Sequence, residues 1–175
     1  MPSSLSIKEL KRTKPEKMKE FKKDFKKIAE YIIVDCAAGL GHEAFCTIDL
    51  ADEIIIVTNP EMPAITDALK AVKLAEQLKK PVKGVIVTRV KKDEIELSPE
   101  VVREMLEVPI LGMIPEDDAV RKSINIKKAV IHSHPKSNAA RAYKEIAARL
   151  LNAQYDSDKD KEKFLERISK WFGFK

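Results

Sequence analysis

The chain has 175 residues, of which 44% are hydrophobic and 35% charged, and its formal net charge is +5 at pH 7. This length favours one compact domain with tails over two separate cores. No apolar run approaches the roughly 18 residues that span a bilayer, and no signal-peptide pattern begins the sequence, so we expect a soluble cytoplasmic protein. Cys36 and Cys46 match neither a CxxC redox pair nor a zinc half-site, so we expect reduced thiols.

Positive charge is concentrated near the start of the sequence. From Lys8 to Lys27 there are ten Lys or Arg and four Asp or Glu. Apolar residues recur there at helical spacing and predict an amphipathic helix with a basic outer face: Met18, Phe21, Phe25, Ile28 and Ala29. Such a helix could bind nucleic acid, but it lacks interleaved exposed aromatics, so we favour a solvated basic helix.

Four apolar runs predict the strands of a sheet. They are Tyr31–Asp35, Glu53–Pro60, Gly84–Val90 and Val108–Pro115. A helix follows the second run, with an inner face of Ile65, Ala68, Leu69, Val72, Ala75 and Leu78. Ser98 and Pro99 open another helix, a short one starts near Asp117, and a last one carries Ala139, Ala140, Tyr143, Ile146, Ala147, Leu150 and Leu151. Continuous apolar strands between amphipathic helices predict an α/β fold with a doubly wound, mostly parallel sheet.

The end of the chain differs from this domain. Residues 1–151 form the predicted α/β domain, residues 152–160 a polar linker, and residues 161–175 an amphipathic helix. One face of that helix is apolar, with Phe164, Leu165, Ile168, Trp171 and Phe172. A helix packed on the domain is the alternative. Three large aromatics on this face, with five basic against two acidic side chains in residues 161–175, favour binding to an anionic membrane surface.

In such a sheet, ligands bind beyond the carboxyl ends of the strands. The first predicted strand ends at Asp35, whose carboxylate could hold magnesium through water. Gly39 and Gly41 follow and would let backbone amides approach a phosphate. The alternative is that Asp35 is a helix cap or turn residue.

Four motifs in order then resemble one known family. They are YIIVDCAAGLG at 31–41, ADEIIIVTNPEMPAITDA at 51–68, VTRV at 87–90 and IPEDDAVRKS at 114–123. The sequence resembles the MinD/ParA family of deviant P-loop ATPases from about Ile7 to Lys175. The resemblance implies ATP and Mg²⁺ as cofactors, and as partners a second copy of the chain, a regulatory protein and an anionic membrane surface.

The resemblance also assigns roles to individual residues. Asp35 corresponds to the family's magnesium-supporting aspartate, and residues 37–41, including Gly39, to its γ-phosphate-sensing loop. The residues that correspond to the base side of the nucleotide are Thr88, Arg89, Pro115, Glu116 and Asp117. The residues that correspond to the partner-binding surface are Asn59, Glu61 and Asp67.

One part of the family pattern is missing from this sequence. The phosphate-binding KGGxGKT loop is absent, because the five glycines never occur as GxxxxGK[ST]. The resemblance therefore assigns no catalytic residue, and we expect this isolated chain to be defective in ATP hydrolysis. The P-loop strand is central in the family's sheet, so we also expect open edges of apolar strand.

These observations support a truncated MinD-like spatial regulator of septum placement or another positioning process. It would associate peripherally with the inner face of the cell membrane. A second hypothesis is part of a working ATPase whose P-loop comes from an upstream segment, and a third is a basic ParA-like DNA-binding partition protein. Iron-sulfur carriers of the family are disfavoured, because Cys36 and Cys46 lie too far apart for a paired-cysteine motif.

Overall fold

The computed structural model describes residues 24, 27–36, 39, 41–91 and 95–153. These contain three parallel strands in the order β1-β2-β3, with β1 at Ile54–Thr58, β2 at Val82–Val90 and β3 at Ile110–Pro115. The helices are α1 (His42–Leu50), α2 (Met62–Gln77), α3 (Pro99–Leu106), α4 (Asp118–Asn125), α5 (Val130–Ser133) and α6 (Asn138–Leu150). In this part of the chain no helix is both long and apolar enough to cross a bilayer.

One face of the sheet is covered by α2 and α3. The buried residues of α2 are Ile65, Ala68, Val72 and Ala75. They recur every three or four positions and so lie on one side of the helix, where they pack against Val85 and Val87 of β2. This confirms the predicted inner face, although Leu69 and Leu78 are only half-buried.

The opposite face is covered by α6, with α4 and α5 beside it. Ile114 of β3 and Ala139 and Ile146 of α6 form the buried centre there. Helices on both faces make the sheet doubly wound and confirm the predicted fold class. One part of the α6 prediction is wrong, because Tyr143 is 39% exposed and Lys144 is buried in its place.

Among the described residues, β1 is an edge strand, and the side chains on one of its faces are exposed. Ile56 and Thr58 are buried against the first face, whereas Ile55 and Val57 are 39% and 64% exposed. Helix α6 packs over β3 at the far side of the sheet and not over β1. The predicted apolar strand edge is therefore present at β1.

The predicted strand from Tyr31 to Asp35 is wrong. Residues 31–36 carry no strand pairing and do not belong to the three-stranded sheet. Tyr31, Ile32, Ile33 and Val34 are 40–64% exposed. A hydrophobic run becomes a strand only when a neighbouring strand accepts its hydrogen bonds, and β1 pairs with β2 alone.

The other three strand predictions are confirmed within two residues at each end. Ser98 begins α3 as predicted, because its Oγ accepts a hydrogen bond from Val101 N at 3.4 Å. Helix α1 is absent from the sequence prediction, although Ala44 and Ile48 are buried one turn apart. Of the predicted basic helix, residues 24, 27 and 28 are helical and the rest lies outside the described residues. The amphipathic helix at 161–175 and most of the linker also lie outside them.

Candidate functional site

A β-bulge shapes the carboxyl end of β2. Val87 pairs with Met113 and Val90 with Pro115, so β2 contains one residue more than β3 over this stretch. Arg89 lies in the bulge with φ +58, a left-handed conformation that costs a non-glycine residue roughly 1 kcal/mol. The bulge places an exposed guanidinium at the strand end, and no hydrogen bond or ion pair joins it to another described residue.

Neighbouring strand ends are tied to one another at this edge. Thr88 Oγ1 donates to the Thr58 carbonyl at 3.0 Å, which joins β2 to β1. Glu116 N donates to the Val90 carbonyl at 2.9 Å, which joins β2 to the segment after β3. Lys91 Nζ lies 3.5 Å from Glu116 Oε2. The predicted base-side residues of two strand ends therefore lie side by side.

Asp117 fixes the segment after β3 through both carboxylate oxygens. Oδ1 accepts from Ala119 N at 2.8 Å and caps α4, and Oδ2 accepts from Ala139 N at 3.2 Å near the start of α6. Hydrogen bonds from the backbone of Ala119 and Ala139 hold the pKa of Asp117 below its ordinary value. These two bonds fix the segment that carries Pro115 and Glu116, and the base-side role of Asp117 stays a prediction.

A pocket opens at the ends of β1 and β2. It is lined by Glu61, Arg89, Lys91, Ile95 and Glu96. The Glu96 carboxylate accepts from Lys91 N at 2.8 and 3.0 Å, and Leu97 N donates to the Pro60 carbonyl at 3.0 Å. These bonds hold both ends of the connecting loop against the strand ends.

Sequence reasoning found only part of this pocket. Arg89 was predicted at the base side and Glu61 on the partner-binding surface, whereas Lys91, Ile95 and Glu96 were not singled out. The loop that follows β2 was the available signal, because ligands bind beyond strand ends in such sheets. Residues 91–97 read KKDEIEL and form no motif, so the convergence of Lys91, Ile95 and Glu96 was not visible in the sequence.

Two predicted residues lie away from the strand ends. Asp35 and Gly39 are exposed in a segment outside the sheet, and Gly39 has φ +90. The adjacent Cys36 thiol is hydrogen-bonded to the Thr47 side chain of α1, and burial together with the Asp35 charge raises its pKa despite that bond. The structure thus places the Asp35 segment against α1.

The predicted partner surface spans the turn after β1 and the start of α2. Asn59 is half-buried, and Glu61 is exposed at the N-cap of α2 without a side-chain capping bond. Asp67 is exposed on α2 and pairs with Lys70 at 2.8 Å. Glu61 therefore belongs to both the pocket lining and this surface.

The strand-end residues differ in how they suit the base of a nucleotide and how they suit its phosphates and magnesium ion. The strand ends offer a guanidinium, hydrogen-bonding groups and Pro115, which suit the base side of a nucleotide. Within the described ranges no group of three or more His, Cys, Asp or Glu could hold a metal ion. The described strand ends therefore carry groups of the kind that border a base, and the sequence contains no GxxxxGK[ST] phosphate-binding loop.

Comparison with known proteins shows which proteins are similar to this chain in sequence and in fold. The profile of the ParA family, described as an NUBPL iron-transfer P-loop NTPase, matches residues 13–151. An uncharacterised ATP-binding protein of Methanocaldococcus jannaschii is 38% identical over 172 residues, covering 97% of this chain. The cell division ATPase MinD of Pyrococcus furiosus superposes with a TM-score of 0.74 at 27% identity over 84% of this chain. MinD of Pyrococcus horikoshii, complexed with Mg-ADP, gives 0.73 at 28% identity over 83%.

The shared region is only part of each similar protein. The chain covers 65% of the M. jannaschii protein, 62% of P. furiosus MinD and 60% of P. horikoshii MinD. It therefore spans about two thirds of the length of its relatives.

Proposed function

Because the chain belongs to the ParA family of P-loop NTPases and is homologous to MinD, we propose that it is a MinD-like positioning protein whose strand ends border the base of a nucleotide. The observation that carries this proposal is the bulge at Arg89, set beside the fixed loop of Pro115 and Glu116. Strained backbone conformations cluster at binding and active sites, which supports a ligand site at Arg89.

Nucleotide binding is tested by calorimetric titration of the full chain with Mg-ADP and Mg-ATP, after circular dichroism has shown folding. We expect weak binding that Arg89→Ala reduces at least threefold, since the phosphate-binding loop is missing from this sequence. Arg103→Ala on α3 is the matched control, because Arg103 is an exposed arginine away from the strand ends. Equal affinity of wild type and Arg89→Ala would show that the pocket does not contact the base.

Hydrolysis is a separate part of the proposal. The sequence contains no KGGxGKT loop, and no catalytic residue is assigned to this chain. We expect no ATP turnover above background by the chain alone, in an assay of released phosphate. Turnover that survives repurification and is lost in Arg89→Ala would contradict this expectation.

Membrane association is the second part of the proposed role. The apolar face of residues 161–175 carries two adjacent aromatics, Trp171 and Phe172, among basic side chains. Such a pattern supports reversible binding to an anionic bilayer at the inner face of the cell membrane. Septum placement or another positioning process would use this attachment together with a regulatory partner at Asn59, Glu61 and Asp67.

A second candidate function follows from the open side of β1. Ile55 and Val57 are exposed on an edge strand, and the chain spans only part of its relatives. Both facts support a working ATPase whose P-loop strand is supplied by a further segment. Co-expression with the P-loop segment of a ParA-family relative should then yield a stable complex, which Val57→Lys weakens. If the segments do not copurify, this candidate fails and the first remains.

DNA-binding partition is the third function considered. A ParA-like DNA-binding role predicts a salt-sensitive gel shift with duplex DNA and localisation that does not depend on residues 161–175. The favoured proposal predicts the opposite result in both experiments.

A further inference from the structure

A basic surface lies on the side of the domain formed by α4 and α5. From Ala119 to Lys144 the sequence has seven Lys or Arg, of which Lys144 is buried, and no Asp or Glu. Several of these cations lie at the end of α4 and in the turn after it. We call residues 121–128 the basic turn; its exposed side chains include Arg121, Lys122, Ile124, Ile126, Lys127 and Lys128.

The basic turn combines free cations with exposed aliphatic side chains. Ile124 and Ile126 are 68% and 54% exposed. Arg121 pairs with Asp118 at 3.8 Å, whereas no ion pair joins Lys122, Lys127 or Lys128 to another residue in the described ranges. The basic turn therefore offers both unpaired cations and two exposed aliphatic side chains, Ile124 and Ile126.

The backbone of the basic turn is fixed. Lys127 N donates to the Ile124 carbonyl at 2.9 Å and Lys128 N to the Ser123 carbonyl at 3.0 Å, the two bonds of a Schellman motif. Lys127 occupies the left-handed position of this motif with φ +52, where glycine is usual. A lysine at this position costs stability relative to glycine, and it is one of the four cations of the basic turn.

A buried hydroxyl network connects the turn to α5. Ser123 is 1% exposed, and its Oγ donates to the Ala119 carbonyl. The same Oγ lies 2.6 Å from Ser133 Oγ and 3.1 Å from His134 Nδ1. The exposed side chains are therefore presented by a pre-organised support, which lowers the entropy lost when they engage a surface.

We propose that the basic turn is a contact site for an anionic lipid surface, distinct from residues 161–175. Cations near an anionic bilayer each contribute about 1 kcal/mol, and aliphatic side chains among them can enter the headgroup boundary. Nucleic acid would use the lysines for phosphate contacts but would give the two isoleucines no role. The proposal rests on membrane association as the proposed function and adds a second contact to it.

The test is co-sedimentation of the full chain with phosphatidylcholine vesicles that contain or lack phosphatidylserine. Two double variants change the basic turn: Ile124→Ser/Ile126→Ser removes its apolar side chains, and Lys127→Glu/Lys128→Glu reverses two of its charges. Each should lower the partition of the protein to the anionic vesicles at least tenfold. Lys70→Glu/Lys73→Glu makes the same change in net charge on α2, across the sheet, and should bind much more strongly than the lysine variant of the turn. Lys127→Gly removes one cation and suits the left-handed backbone, so partition should fall about fivefold while the thermal midpoint does not fall.

The terminal segment is tested separately with Trp171→Ser/Phe172→Ser. Lower partition in this variant and normal partition in both turn variants would overturn the present inference and leave the proposed function standing. Lower partition in the turn variants alone would support the inference and remove the role of residues 161–175. If the wild-type protein did not bind anionic vesicles, both this inference and the proposed membrane association would be overturned. A duplex-DNA gel shift lost in Lys127→Glu/Lys128→Glu, with vesicle binding unchanged, would assign the turn to nucleic acid instead.

Discussion

Gly112 shows how closely α6 approaches the sheet. A Cβ at this position would overlap the Ile146 side chain, which is 5% exposed in the second core. Gly112→Ala should therefore displace α6 and lower the free energy of unfolding by about 1–3 kcal/mol. Urea denaturation measures the change. Gly41→Ala is the control, because Gly41 has φ −68 and open space around its Cα, and a loss as large there would contradict a steric cause.

Asp117 provides a pH-dependent contribution to stability. Its backbone hydrogen bonds hold the folded-state pKa below the ordinary 3.8, so the stabilisation is complete above that value and is lost as pH falls through the lowered pKa. Asp117→Asn removes the charge and should lower the free energy of unfolding by about 1 kcal/mol at neutral pH. The difference from wild type should shrink below pH 3.8 in urea titrations. A difference that grows on acidification would contradict the assignment.

A lysine binds the C-terminal end of helix α1. The Lys80 ammonium donates to the carbonyl of Asp49 and, at 3.1 Å, to that of Ala51, and its side chain is only 18% exposed. A cation at a helix C-terminus satisfies carbonyls that have no partner within the helix and interacts favourably with the helix dipole. The end of α1 is therefore held against the segment that enters β2.

Replacing Lys80 tests whether its ammonium group holds helix α1 in place. Lys80→Met keeps the length of the side chain and should lower the free energy of unfolding by about 1–2 kcal/mol, with earlier hydrogen exchange in α1 than in α2. The matched control is Lys70→Met, whose exposed ion pair with Asp67 contributes less than about 1 kcal/mol. If amide hydrogens of α1 and α2 exchanged equally fast in Lys80→Met, Lys80 would not be what holds α1.

At the scale of the whole molecule, we expect the exposed edge of β1 to cause self-association at high protein concentration. An apolar edge strand with free backbone groups can pair with another chain. We expect the purified protein to self-associate reversibly, and Val57→Lys, at a side chain 64% exposed, to shift it towards monomer without changing its thermal midpoint. Analytical ultracentrifugation over a tenfold concentration range measures this. A wild type that stays monomeric throughout would show that the edge is protected.

The hydrophobic pattern by itself determined most of the fold. Helices α2, α3, α4 and α6 and all three strands follow from periodicity and from cap residues such as Ser98 and Asp117, because these signals are local along the chain. The order of the motifs also identified the family that the comparisons show. Thr88, Arg89, Pro115 and Glu116 were placed at strand ends by the same local signals.

Only the tertiary structure decided the features that depend on distant neighbours. The run from Tyr31 to Asp35 is as apolar as β1 yet forms no strand, because strand formation requires a hydrogen-bonding neighbour. The burial of Lys144, the bulge at Arg89 and the hydrogen bond from Ala139 N to Asp117 likewise depend on what packs beside each residue. Local composition sets which segments can form elements, whereas pairing and packing between distant segments determine which elements form and what their side chains face.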